Sequence, residues 1–263
     1  MLKNWREVVE NIISLESLFH RSKERIKDLG EVFTPDKYVE EMLDMLSKDR
    51  KNFWNDERNV FFEPCCGHGN IVLAIYKRRL ESIFVKASKE YSNEASLYAV
   101  SNSLNTLWAI DIDPENIESC RTRVLHITLQ FLKSKLGYDS EYSIIEEHQE
   151  FFCHIISAIK WQIYVNETLT SLSCSESYEK QALKTKASKL WACENEHQPV
   201  EFHTTWAQFF DECETNDLLP LEYERASKLI ESYLDGSRKN VKDFKFAEIL
   251  YKYNGGNYME VSA

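Results

Sequence analysis

Three short apolar stretches, each followed by an acidic residue, constrain the fold of this chain more than any other feature. The stretches are 60–62, 107–110 and 162–165, and the acids that follow them are Glu63, Asp111 and Glu167. Helical patterns occupy much of the sequence between them, so each stretch is predicted to be a strand of a βαβ unit in a parallel sheet. Parallel strands end at one edge, where open α/β sheets bind ligands, and we therefore expect the three acids to share a site.

The first predicted strand leads into a turn with two glycines, Glu63-Pro64-Cys65-Cys66-Gly67-His68-Gly69-Asn70. Glycine permits backbone conformations and close ligand contacts that side chains forbid. A helix predicted to start near Asn70 directs its N-terminus to the same place. A carboxylate before such a turn suits an ammonium group, such as the methionine amine of S-adenosylmethionine (SAM), better than a pyrophosphate. The turn therefore predicts a SAM site formed by Glu63, Cys65, Gly67, Gly69 and Asn70.

The other two acids extend this predicted site. Asp111 ends the second strand, where a carboxylate can accept hydrogen bonds from both ribose hydroxyls, and Ile112 next to it is assigned to the same site. Asp113 instead suits a cap for the helix that starts at Pro114. Glu167 or Asn166 is expected to accept a hydrogen bond from the adenine amino group. A helix N-cap or a surface acid is the alternative for Glu167.

The flanking regions are predicted to be mostly helical. Helices are predicted over 4–28, about 38–46, about 70–80, 114–136, 142–159, 177–193, 205–213 and 222–234, with weak strands at 200–202 and 246–253. The stretch 88–106 is only loosely patterned. These patterns divide the chain into an N-terminal helical segment (1–50), a SAM-binding α/β core (51–175) and a helical C-terminal region (176–263).

These motifs together resemble the N6-adenine DNA methyltransferases of restriction–modification systems, and the phage-type members are the most similar. The resemblance covers roughly residues 20–170 and rests on Gly30-Glu31-Val32-Phe33-Thr34-Pro35, the turn from Glu63 to Ile71, and Asp111 with the segment Asp113 to Arg121. It implies a class I SAM-dependent methyltransferase (Rossmann-like) sheet, in an incomplete form. In the family the first segment folds over the methionine end of SAM, which implies that Phe33, Thr34 and Pro35 contact the cofactor.

The chain departs from this family in its catalytic and recognition elements. The family's catalytic loop is Asn-Pro-Pro-Tyr, whose polar and aromatic groups hold the flipped adenine, but this sequence contains no Pro-Pro and no Asn-Pro. Catalytic residues are therefore unassigned. The aromatic side chains of Trp191, Trp206 and Tyr223 are expected to pack in the core. No segment is long enough for a separate target-recognition domain.

The charge balance also bears on the ligand. The formal net charge is -11, whereas a protein that binds DNA alone usually presents a basic face. Residues 194–224 contain nine acids and no Lys or Arg. This segment is interpreted as a solvated face, or as a surface that repels nucleic acid or attracts a basic partner protein. We expect another subunit to supply DNA contacts if DNA is the substrate.

The cysteine pattern and the N-terminus predict the compartment. The seven cysteines form no CxxC pair, which predicts that they bind no metal. Their odd number, without a signal-peptide core, predicts reduced thiols. The absence of a long apolar run predicts no membrane span. The expected location is the cytoplasm of a bacterium or of a phage-infected host cell.

Three functions are consistent with these patterns. The first is a SAM-dependent adenine-N6 DNA methyltransferase whose catalytic loop is unusual or supplied by a partner. The second is an inactive relative that binds a host restriction, modification or defence component as an inhibitor or regulator. The third is a methyltransferase that acts on RNA, protein or a small molecule.

Overall fold

A computed structural model describes residues 34–91, 94–172, 183–196, 199–200, 204–237, 241–242 and 244, together with the backbone of 251–254 and 257–260. The helix predicted over 4–28, Phe33 and the predicted strand residues 201–202 lie outside these described residues. None of the described helices combines the length and the apolar character that crossing a membrane requires.

Three parallel strands form the central sheet. They are β1 (Phe61–Glu63), β2 (Leu107–Asp111) and β3 (Ile163–Val165), in the spatial order β1-β2-β3. Phe61 is paired with Leu107, and Ala109 is paired with Ile163. The prediction of a parallel sheet built from the three apolar stretches is confirmed, and the chain is an α/β protein in which helices predominate.

Helices connect and cover these strands. The first group consists of α1 (Asp36–Ser47), α2 (Asn70–Ala87), α3 (Ala95–Asn105), α4 (Pro114–Leu136), α5 (Glu141–Glu147), α6 (Gln149–Gln162) and α7 (Thr168–Ser171). Helix α2 buries Val72, Leu73, Ile75, Tyr76 and Leu80, as its apolar spacing predicts. Helix α4 starts at Pro114, and the Asp113 side chain caps it by accepting from the Glu115 N–H at 3.0 Å. The predicted capping role of Asp113 is confirmed.

Two connections differ from the prediction. The loosely patterned stretch contains helix α3, whose buried residues at helical spacing are mostly small: Ala95, Ser96, Ala99, Val100, Ser103 and Leu104. Small side chains let this helix pack closely against α2, but they give a weak hydrophobic pattern. The single helix predicted over 142–159 is two helices, because His148 between them has a non-helical backbone at φ -121° and ψ 41°.

A buried arginine joins α2 to the segment that leads into the sheet. Arg79 is 1% exposed, and its guanidinium donates to the carbonyls of Trp54 and Asp56 and to the Thr106 hydroxyl at 2.7–3.0 Å. Burial lowers its pKa to about 10. The guanidinium therefore joins the segment that precedes β1 to the residue that precedes β2.

The C-terminal region adds α8 (Lys186–Glu194), α9 (Trp206–Thr215), α10 (Leu221–Leu234) and an antiparallel hairpin of β4 (Tyr251–Asn254) and β5 (Asn257–Glu260). Trp206 is fully buried, and Tyr223 packs against the core. Both confirm the predicted core roles, whereas Trp191 is half-buried on α8. The strand predicted over 246–253 is β4 in part, and β5 had no sequence signal.

Candidate functional site

The carboxyl edge of the sheet brings the three predicted acids together. Asp111 is paired with Val165, and the Asn166 N–H continues the ladder by donating to the Asp111 carbonyl at 3.0 Å. The charges of Glu63, Asp111 and Glu167 all act on the Cys65 thiol, whose pKa is raised mainly by burial and also by these three carboxylates. The structure therefore places all three strand-end acids close enough to the Cys65 thiol for their charges to act on it.

The glycine turn crosses this edge between β1 and α2. The Cys66 N–H donates to the Ile110 carbonyl, and the Gly69 N–H donates to the Cys66 carbonyl, both at 2.9 Å. Gly67 has φ +53° and Gly69 has φ +101°, in the region that disfavours side chains. A Cβ on Gly69 would lie 2.7 Å from the Cys120 Sγ, whereas a Cβ on Gly67 would meet nothing within 4 Å. Gly69 is therefore required by packing against α4, and Gly67 borders open space.

Asp111 holds the turn in place. One carboxylate oxygen accepts from the Gly67 N–H at 2.9 Å, and the other accepts from the Asp113 N–H at 2.9 Å and the Asn116 side-chain amide at 3.3 Å. Burial raises the pKa of Asp111, although these three donors act in the opposite direction. No sequence pattern indicates that this acid bonds the glycine turn as well as ending the strand.

Glu63 has fewer internal partners. Its carboxylate accepts from the Cys65 N–H at 3.2 Å. Burial, with a smaller contribution from the Asp111 charge, raises the pKa of Glu63. No Lys or Arg in the described part of the chain forms an ion pair with Glu63. This carboxylate is therefore the edge group that a bound cation would stabilise most.

Glu167 is a helix N-cap, which was the alternative to its predicted contact with adenine. It is 5% exposed, and it caps α7 by accepting from the Thr170 N–H at 2.8 Å. Its second oxygen accepts from the Ser188 hydroxyl of α8 at 3.1 Å. The amide oxygen of Asn166, the other residue proposed for adenine, accepts from the Glu167 N–H at 2.8 Å.

A threonine with no predicted role joins the first and third strand ends. The Thr168 hydroxyl donates to the Pro64 carbonyl and lies 3.1 Å from the Cys65 thiol. Its only sequence signal is its position directly after the third strand-end acid. This contact holds the Cys65 thiol at the edge of the sheet.

The end of the predicted covering segment lies beside the turn. The Thr34 carbonyl accepts from the Asn70 side-chain amide at 3.4 Å, and Pro35 is the N-cap residue of α1. Arg123, which is buried in α4, donates to the His68 carbonyl at 2.9 Å and to the Asn70 side-chain oxygen at 3.1 Å. Ile112 is half-buried directly after β2. Of the predicted cofactor residues, only Phe33 lies outside the described residues.

The cysteines and the other residue types that can bind metals form no further candidate site among the residues that the structure describes. The described cysteines are free thiols, and Cys66, Cys120 and Cys153 are buried. A hydrogen bond with Cys120 and burial raise the pKa of Cys66. Within the described ranges, no three His, Cys, Asp or Glu side chains are grouped to hold a metal ion.

Comparisons of the chain with protein-family models, with curated proteins and with solved structures find no match.

Proposed function

We propose that the carboxyl edge of this sheet binds SAM, and that the chain is a SAM-dependent DNA methyltransferase of the adenine-N6 type from a phage or restriction–modification system. The arrangement of Glu63 and Asp111 on either side of the glycine turn carries this proposal. The half-buried Glu63 carboxylate lies at the end of β1 and forms no ion pair with a Lys or Arg in the described part of the chain.

The electrostatics of the edge suit a cationic ligand. SAM carries an ammonium and a sulfonium group, and an opposite charge nearby restores the ionised form of a carboxylate whose pKa burial has raised. The open space beside Gly67 leaves room for the ligand next to the turn. The ribose is assigned to Asp111, and the adenine is assigned to the end of β3 near Asn166 and Glu167.

Isothermal titration calorimetry with SAM tests the cofactor site. We expect Glu63→Gln to weaken SAM at least about tenfold, roughly 1.4 kcal/mol, because the amide keeps an acceptor for the Cys65 N–H but removes the charge. Gly67→Val should abolish binding by filling the open space, whereas Glu90→Gln, in the turn after α2 and remote from the site, should bind as the unmodified protein does. Unchanged SAM affinity in both site variants would reject the assignment.

The pH dependence of SAM affinity gives a second test of Glu63. The raised pKa means that Glu63 takes up a proton at a higher pH than an ordinary glutamate. SAM affinity should therefore decrease as the pH is lowered through that raised pKa, and Glu63→Gln should remove this part of the decrease. The same pH profile in both proteins would show that the carboxylate does not contact a cation.

Methyl transfer is tested separately. Incubation with labelled SAM and mixed DNA, alone and with candidate partner subunits, should label adenine N6. Transfer that requires an added subunit would agree with the absence of Asn-Pro-Pro-Tyr from the sequence. No labelling under any of these conditions, by a protein that binds SAM, would contradict the enzymatic part of the proposal only.

A second candidate, an inactive relative that binds a host restriction, modification or defence component, is favoured by one observation. The carboxylate oxygens of Asp111 and Glu167 already accept hydrogen bonds within the protein. An edge that binds no SAM in calorimetry, together with a stable host complex, would support this candidate. A pull-down that recovers no stable host partner would contradict it.

A further inference from the structure

An ordered turn between α9 and α10 exposes three leucines within four residues. Leu218 is 63% exposed, Leu219 is 53% exposed and Leu221 is 51% exposed. Isolated apolar side chains on a surface are ordinary, but several that adjoin one another mark an interaction site. The three leucines of this turn are neighbours in the chain and therefore form such a group.

Hydrogen bonds and a buried proline hold this turn in one conformation. The Leu218 N–H donates to the Cys213 carbonyl at 2.9 Å, and the Asp217 N–H donates to the Glu214 carbonyl at 3.0 Å. Asp217 has φ +56°, a left-handed conformation that ends helix α9. Pro220 is buried and caps α10. The leucines are thus presented by a fixed backbone, which reduces the entropy lost when a partner binds.

Acidic residues flank these leucines in the sequence. The acidic leucine turn comprises the three leucines with Asp211, Glu212, Glu214, Asp217 and Glu222. In the described part of the chain none of these five acids forms an ion pair, and the nearby Glu224 lies 3.9 Å from Lys228. The sequence between residues 195 and 224 contains no Lys or Arg that could neutralise them.

We propose that the acidic leucine turn is a docking site for a partner protein whose apolar side chains are bordered by Lys and Arg. The leucines supply apolar area, and the unpaired carboxylates select a basic rim by charge complementarity. Nucleic acid does not fit this surface, because its phosphates would face the carboxylates. The proposal does not depend on SAM binding, since the turn lies on different elements from the glycine turn.

A peptide of known chemistry is the probe. A labelled amphipathic helix of about 18 residues, five helical turns, with Leu on one face and Lys on the other, represents the partner. A matched peptide with Ser in place of Leu keeps the charge. Fluorescence anisotropy should show at least about tenfold tighter binding of the Leu–Lys peptide, and weaker binding as salt is added.

Variants of the full chain locate the site. The triple variant Leu218→Ser, Leu219→Ser, Leu221→Ser should lose the preference for the Leu–Lys peptide. A control triple variant at equally exposed positions, Val85→Ser, Leu172→Ser, Leu190→Ser, should keep it. The variant Asp211→Asn, Glu212→Gln, Glu214→Gln, Asp217→Asn should bind more weakly and with less dependence on salt.

Two results would overturn the proposal. The first is equal loss of peptide binding in the leucine variant and in the control triple variant. The second is a dimer in sedimentation velocity that the leucine variant abolishes, because a second copy of this chain would then occupy the turn. All substituted positions in the two serine variants are exposed, so melting curves that match the unmodified protein will show that folding is intact.

Discussion

Gly69 makes a close contact that Gly67, its neighbour in the same turn, does not make. A Cβ on Gly69 would lie 2.7 Å from Sγ, 3.3 Å from Cβ and 3.4 Å from Cα of Cys120, whereas a Cβ on Gly67 would meet nothing within 4 Å. Cys120 is fully buried in α4, so its side chain has no solvent-exposed space to move into. Gly69→Ala should therefore disturb the contact between the glycine turn and α4, and Gly67→Ala is the matched control.

Gly67→Ala and Gly69→Ala should lower the free energy of unfolding by different amounts, and the difference can be estimated. A side chain in a left-handed conformation costs about 1–2 kcal/mol, and both positions have positive φ. Overpacking of a buried contact adds about 1–3 kcal/mol, and it applies only to Gly69. We expect Gly67→Ala to lower the free energy of unfolding by about 1 kcal/mol and Gly69→Ala to lower it by about 2–5 kcal/mol.

Urea denaturation followed by circular dichroism measures both values, and Cys120→Ala provides the double-mutant cycle. Because Cys120→Ala removes the Sγ, the double variant should be more stable than the sum of the single variants by about 1–2 kcal/mol. Additive effects within about 0.5 kcal/mol, or equal losses in Gly67→Ala and Gly69→Ala, would refute the contact between the turn and Cys120.

Three further predictions concern buried polar groups. Asp111→Ala should lower the free energy of unfolding in urea by about 2–4 kcal/mol, because three donors lose their acceptor; a loss no larger than the roughly 1 kcal/mol of an ordinary cap, measured with Asp113→Ala, would contradict this. Burial raises the pKa of Glu141 from 4.5 to about 7, so the folded state binds the extra proton and stability should fall by roughly 2–3 kcal/mol as the pH rises between these values. Glu141→Gln should remove that decline, and the same pH slope in both proteins would exclude Glu141 as its source. Arg79→Lys should cost about 2–4 kcal/mol, since one ammonium cannot serve the three acceptors of the guanidinium; retention of the wild-type melting midpoint would contradict it.

The strands and the large apolar helices could be predicted because their signals are local. Phe61 and Ile110 lie in apolar runs bounded by acids and turns, and the helix α4 start is marked by Asp113 and Pro114. Helix α3 was not predicted, because its packed face consists largely of Ala and Ser. Such residues pack well only against a partner helix that the sequence pattern does not reveal.

The residues of the site could be predicted, but not their hydrogen bonds. An acid after a strand is visible in the sequence, and the parallel sheet then places Glu63, Asp111 and Glu167 at one edge. The bond between Asp111 and the Gly67 N–H joins residues 44 positions apart, and the bond between Thr168 and the Pro64 carbonyl spans 104 positions. No local pattern encodes such contacts, because they exist only once the strands are paired.

Glu63 and Asp111 differ in how many internal hydrogen bonds they accept, and this difference determines how a ligand can bind at this edge. A carboxylate offers about four acceptor positions; Asp111 uses three of them on Gly67, Asp113 and Asn116, whereas Glu63 uses one on Cys65. A cationic group would therefore be stabilised most by the Glu63 carboxylate at the end of β1. The Asp111 carboxylate at the end of β2 can accept about one more hydrogen bond. A ligand that satisfies both would place its cationic end against Glu63 and a hydroxyl against Asp111. Because Asp111 also holds the turn, its removal changes the protein before any ligand arrives, and Glu63→Gln is the variant whose effect on affinity reports the ligand itself.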